Sequence, residues 1–284
     1  MIFISGCSSA VEYSNIERQE SMDSYTLLWW LQWGMVSTAL VTFVATTVIS
    51  APYGRYTTPK GWGPLIPAKL AWFFMESPNL WITAIVYLYF SNEGCSSDKY
   101  NSALTCMFVL HYMNRSVLYP LRMPRDANPM PISVCFLAFS YCVWNGLTQA
   151  LSLGVVNCQH YATESSLGGA MYNLGILLFF TGMAINIHSD SILLHLRGKP
   201  IHGRRQGYKI PRGGMFEYVS CANYFGEILE WSGYALACGT VAGAAFALFT
   251  FCNIGPRAYN HHKWYLSKFE DYPKGRKAVI PFVW

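Results

Sequence analysis

Ionisable and amide side chains recur at helical spacing inside otherwise apolar stretches of this chain. Glu76 interrupts LAWFFMESPNLW, His111 and Arg115 interrupt CMFVLHYMNRSVLYP, Asp190 closes GMAINIHSD, and Glu227 and Glu230 stand in ANYFGEILEW. Residues at i, i+3 or i+4 and i+7 share one helix face. That grouping sets Tyr112 with Arg115 and Tyr119, Asn186 with Asp190, Asn223 with Glu227 and Glu230, and Arg257 with His261 and Tyr265. Any one such stripe is explained equally well by polar groups that satisfy one another between helices. Stripes on several elements point instead to a shared polar cavity, with guanidiniums suited to phosphate and amides to neutral ligand groups.

The elements that must position these groups belong in a bilayer. The 284 residues are 52% hydrophobic and only 12% charged, about half the charge of an ordinary soluble domain. From Ser24 to Gly54 there is no Asp, Glu, Lys or Arg, a stretch long enough to span hydrocarbon as a helix. It begins too late and runs too long for a cleaved signal peptide. Further apolar stretches run over about 69–90, 103–121, 131–156, 167–187, 218–237 and 240–254. The expected fold is therefore all-α and polytopic, with about seven transmembrane helices. A six-helix count, joining the last two stretches across Cys238 and Gly239, stays open at this point.

Placing the N-terminus outside and the C-terminus in the cytosol leaves only Arg18 and Lys99 outside and Arg115 within the third span. The rest of the 20 basic residues then lie in inside segments, as the positive-inside rule requires. Residues 1–24 form a polar extension, residues 25–284 one membrane domain, and residues 255–284 its cytosolic tail. The net charge of +5 then needs acidic lipid and no nucleic acid as neighbour. No protein partner is called for.

Other features exclude chemistry. The nine cysteines are scattered without zinc-type or thiol-exchange spacing, and a bridge between Cys95 and Cys158 is left open. Adjacent His261 and His262 point to different helix faces and make no metal site. The sequon at Asn114 lies within a span, and no G-x-G-x-x-G supports a Rossmann domain.

On the blocks AWFFMESPNLW, LHYMNRSVLYPLR, GMAINIHSDSILLHLR, GYKIPRGGMFEYVSCANYFGEILEWSGYALA and HHKWYLSKFEDYPKGRKAVIPFVW, the chain resembles the steroid 5α-reductase family. The family includes the animal testosterone reductases and the plant brassinosteroid reductase. The likeness covers about residues 51–284. It implies a seven-helix enzyme of the endoplasmic reticulum membrane that holds NADPH within its bundle and takes an apolar 3-oxo-Δ4-steroid from the bilayer.

By local motif, the family's ketone-binding glutamate and tyrosine correspond to Glu76 and Tyr112. Its cofactor contacts correspond to Tyr53, Arg115, Tyr119, Asn186, Asp190, Arg197, Tyr208, Lys209, Asn223, Trp231, Arg257, His261 and Tyr265. Lys209 stands where animal members often carry arginine, which keeps the charge and loses the bidentate fork. The loop 198–207 is longer than in close relatives.

The implied reaction reduces the enone with hydride from NADPH and drives negative charge onto the carbonyl oxygen. Tyr112 would donate to that oxygen, and a carboxyl in apolar surroundings, Glu76, could be neutral and donate as well. More distant relatives reduce enoyl-CoA or polyprenal, and a sterol-binding protein without chemistry is the non-enzymatic alternative.

Overall fold

The computed structural model describes residues 5–157, 166–196 and 207–284, with side chains from Met22 onward. The fold is overwhelmingly helical. The first charge-free stretch lies in α1 (Ser5–Val48), which continues from the polar N-terminal segment without a break. The second stretch is split into α2 (Ala68–Glu76) and α3 (Pro78–Tyr89), because Pro78 lacks the N–H that would continue α2 and is suited to open a new helix. The break places Glu76 at the end of α2.

A short helix, α4 (Glu93–Ser96), leads to α5 (Lys99–Met113), whose first turn is capped by the Asp98 carboxylate accepting from Tyr100 and Asn101 N–H. A π-helical turn at Asn114–Leu118 joins α5 to α6 (Tyr119–Arg122) and carries Arg115. Then follow α7 (Ile132–Leu151) and α8 (Ser166–Leu196). The last two apolar stretches form separate helices, α9 (Ala222–Cys238) and α10 (Val241–Lys268). Gly239, at φ +59°, ends α9 in the left-handed conformation that glycine adopts without strain. The Thr240 hydroxyl then caps α10 by accepting from Gly243 N–H.

Three of these segments, Met22–Val48, Ile132–Val156 and Ser166–Leu196, are helices long and apolar enough to cross a membrane. Trp30, Val41 and Val44 on α1, Leu88 on α3, Phe136 on α7 and Leu177 on α8 face outward with most of their surface bare. Lipid accommodates such a surface where water would not. Inside, Phe108, Phe179, Trp231, Tyr234 and Phe246 form an aromatic core.

The tightest packing is between α8 and α9. Gly175 and Gly182 on one face Gly226 and Gly233 on the other. A Cβ built at Gly182 would lie 2.3 Å from Glu230 N and 2.6 Å from Gly226 O, and one at Gly175 would lie 2.5 Å from Ala237 N. Only hydrogen fits, so the backbones touch, as small residues permit between membrane helices. This seam sets Asn186 and Asp190 against Asn223.

Helix α10 runs well past Ile254, so Arg257, His261 and Tyr265, expected in the tail 255–284, sit on the same helix as the last apolar stretch. Pro256 lies inside it and leaves the Cys252 carbonyl without its helical donor. The Thr46 hydroxyl of α1 lies 3.3 Å from that carbonyl and shares its one hydrogen with the Thr42 carbonyl at 2.8 Å.

The segment that does fold back is 269–284. Val219 and Lys277 form a parallel bridge, Arg276 donates to the Pro211 carbonyl at 2.9 Å, Val279 is fully buried, and Trp284 covers Gly255. Deleting residues 280–284 should therefore lower both the melting temperature in detergent and the affinity for a cofactor held by α10. Wild-type values for both would show that the ending does not brace the helix.

Candidate active site

A partly open cavity of about 940 Å³ is lined by α1, α2, α5, α7, α8, α9 and α10 together with the segments around Tyr53 and Tyr208. The polar stripes converge on it. Glu76 and Tyr112 both line it, along with Tyr53, Arg115, Tyr119, Asp190, Tyr208, Lys209, Asn223, Arg257 and Tyr265.

Three expected cofactor residues stand behind this wall. Asn186 is buried and donates to the Asn223 carbonyl at 3.0 Å. Trp231 packs on the His111 and Tyr112 rings at 4.5 and 5.9 Å. His261 stacks on Tyr56 at 5.3 Å. Arg197, most of the loop 198–207 and Cys158 lie outside the described residues.

The cations on the wall are held in two ways. Arg115 pairs with Asp190 at 3.3 Å, Asp190 also accepts from Asn223 Nδ2 at 3.1 Å, and the guanidinium lies 4.6 Å from the Trp72 ring centre. Arg257 instead donates to the hydroxyls of Tyr53 and Tyr224, the latter at 2.8 Å. Arg55 donates to Tyr265 Oη at 3.1 Å and lies 4.2 Å over the Trp264 ring. Its Nη1 is buried with no hydrogen-bond partner among the described residues.

Phenols and ring faces hold a guanidinium in place without cancelling its charge. Arg55 and Arg257 therefore remain available to an anion, which is the chemistry a phosphorylated nicotinamide cofactor would need.

Elsewhere on the wall, the Cys142 thiol approaches Glu76 Oε2 at 3.9 Å, and Asn145 Nδ2 donates to the Tyr112 hydroxyl at 3.2 Å. His111 Nδ1 lies 2.7 Å from Glu230 Oε1, a fully buried pair behind Tyr112. Sequence reasoning missed Arg55, Tyr224 and Asn145. Arg55 was one of several loop charges. Asn145 and Gln149 did carry a signal, two amides four residues apart in a span without charge.

Burial, with the charges of Arg55 and Arg257 beside it, holds the His261 imidazole well below the usual histidine range. The folded chain keeps it neutral while the unfolded chain takes up a proton below about pH 6.5, so stability falls as the pH drops through that value. In His261→Gln the melting temperature should fall less between about pH 7.5 and 5.5. An unchanged acid-side drop would place the proton uptake elsewhere.

Residues 128–284 match the family described as 3-oxo-5-alpha-steroid 4-dehydrogenase. Over 253 residues the chain is 44% identical to steroid 5-alpha-reductase DET2 of Gossypium hirsutum, covering 87% of this chain and 93% of that protein. Over 241 residues it is 46% identical to 3-oxo-5-alpha-steroid 4-dehydrogenase 1 of Homo sapiens, covering 85% and 89%.

Proposed function

The chain belongs to the 3-oxo-5-alpha-steroid 4-dehydrogenase family of oxidoreductases, and from that premise we propose that it reduces the Δ4 double bond of 3-oxo-Δ4-steroids with NADPH. The observation that carries this reading is one cavity that joins Glu76 and Tyr112 to Arg115, Asp190, Asn223 and Arg257. Bound NADPH would supply the hydride. Tyr53, Arg55, Arg257 and Tyr265 would hold its phosphates, and Asp190 and Asn223 its neutral groups.

The substrate's own chemistry sets what the protein must do. As the enone is reduced, charge accumulates on the 3-oxygen, and donors aimed at that point lower the barrier. Tyr112 supplies an O–H there. Glu76 supplies a second donor if its carboxyl is protonated. Glu76→Gln, which still donates, should then retain clearly more turnover than Glu76→Ala. Equal losses would mean that Glu76 acts as an anion or only by its bulk.

The same reading makes the protein a seven-span enzyme of the endoplasmic reticulum with its N-terminus lumenal and its steroid taken from the bilayer. The distribution of basic residues supports that orientation. So does Cys95, which is disulfide-bonded in the short helix α4, on the side that would be lumenal and oxidising.

The deciding experiment is NADPH consumption by the purified protein with testosterone, progesterone and campest-4-en-3-one, with products identified by mass spectrometry. Enone-dependent consumption giving saturated 5α ketones supports the proposal. NADPH binding without steroid turnover would favour an enoyl-CoA or polyprenal substrate, and steroid binding without NADPH binding would favour a sterol-binding protein.

A further inference from the structure

Four buried side chains, three of them behind the cavity and the fourth, Tyr112, on its wall, form a hydrogen-bonded chain whose direction is fixed at one end. Gln149 Nε2 donates to the Ala242 backbone carbonyl at 3.0 Å and to Asn145 Oδ1 at 3.3 Å. Asn145 Nδ2 donates to Asn79 Oδ1 at 3.2 Å and to the Tyr112 hydroxyl at 3.2 Å. The four side chains belong to residues at most 4% exposed, so water cannot substitute for any of these partners.

A backbone carbonyl only accepts, so the end of Gln149 that faces Ala242 must be its NH2 group. That group also faces Asn145 and cannot accept, so Asn145 must turn its oxygen toward Gln149. The NH2 of Asn145 is thereby committed to Asn79 and Tyr112. Reversing any one amide would set donor against donor or oxygen against oxygen in a dry site, which costs more than the bond is worth. The polarity set at Ala242 on α10 thus reaches Tyr112 on α5 through two residues of α7. The Tyr112 oxygen accepts a hydrogen bond there and cannot direct its own O–H back along the same line.

We infer that Asn145, oriented by Gln149, is a positioning residue that commits the Tyr112 O–H to point into the cavity as a donor to the substrate carbonyl. The inference rests on the reading of the cavity as a ketosteroid reductase site. Asn145 has a second, mechanical role in tethering Asn79 of α3, and a useful test must separate the two. An aspartate at 145 keeps the shape and still accepts from Gln149, but offers Tyr112 an acceptor and draws its proton away from the cavity.

The test is a double-mutant cycle of Asn145→Asp with Tyr112→Phe, measured as steroid turnover. A binding comparison of a saturated 3-keto steroid with its 3-deoxy analogue, followed by thermal shift, accompanies it. Asn145→Asp alone should lower kcat by about ten- to a hundred-fold, somewhat less than loss of the donor itself. It should also erase most of the preference for the ketone. In the Tyr112→Phe background it should cost nothing further. Asn145→Leu, which removes the orienting donor without offering Tyr112 an acceptor, should lower kcat less than the aspartate variant does, again with no further cost in the Tyr112→Phe background, and serves where the aspartate variant does not fold.

If the wild-type protein turns over no 3-oxo-Δ4-steroid, the reading of the site falls and this inference with it. If the wild type is active but the two losses multiply independently, or Asn145→Asp keeps its ketone preference, only the role of Asn145 is overturned.

Discussion

Tyr112→Phe should lower steroid turnover by about a hundred- to a thousand-fold, the usual effect of removing one donor from a developing oxyanion, while NADPH affinity stays close to wild type. The phenol ring is buried among Phe108, His111 and Trp231, and phenylalanine keeps all of that packing. Only the oxygen is lost, and with it the bond from Asn145. The cationic part of the wall, around Arg55 and Arg257, makes none of its contacts through Tyr112, so the cofactor has no reason to leave. Turnover and NADPH binding, the latter followed by quenching of tryptophan fluorescence, should therefore separate cleanly. Turnover within about tenfold of wild type would remove Tyr112 from the oxyanion role. A parallel loss of NADPH binding would make the substitution a structural lesion instead.

Gly182→Ala should be the most damaging added methyl among the described glycines. The new Cβ would meet Glu230 N, Gly226 O and Glu230 Cα at 2.3, 2.6 and 2.7 Å. All three are backbone atoms, or bonded directly to them, and cannot swing aside as a side chain can. Relief requires α8 and α9 to separate along the seam. Overpacking of this kind costs about 1–3 kcal/mol where the surroundings yield, and more is expected where two helices must shift. Separation would also pull Asn186 and Asp190 away from Asn223, so cofactor affinity should fall with stability. Gly275→Ala, at a site where a Cβ meets nothing within 4 Å, is the matched control. Equal melting temperatures and folded yields for the two variants would show that the seam tolerates a methyl.

The parts of this architecture that were legible in the sequence are those that are costly to put in lipid. Arg115, Asp190 and Glu227 stood out because an ionised group in an apolar run demands a partner or a cavity, and the cavity is where they are found. Neutral devices were hidden. The break at Ser77 was signalled by Pro78, yet the apolar run reads straight through it. The seam needs glycines on two helices to be seen together, and neither helix alone says which face its partner will meet. Asn145 and Gln149 carry no charge, and the direction of their bonds depends on a carbonyl from α10, nearly a hundred residues away in sequence. Likewise, nothing local to Pro256 indicates that Thr46 will approach the carbonyl it frees.

The glycine seam also determines which walls of the cavity can open. Helices in backbone contact at four glycines cannot tilt or slide independently, because each such motion drives one backbone into the other or opens a void. Asp190, Asn223 and Glu227 must therefore travel as one rigid piece. The parts of the wall outside the seam, the segments around Tyr53 and Tyr208, are fastened to α10 by side chains. Their fastenings, Arg55 to Tyr265 and Arg257 to Tyr53, are released by side-chain rotation and restored as easily. The wall that can yield is thus the one that carries Arg55 and Arg257, and the wall that cannot is the one that carries Asp190 and Asn223.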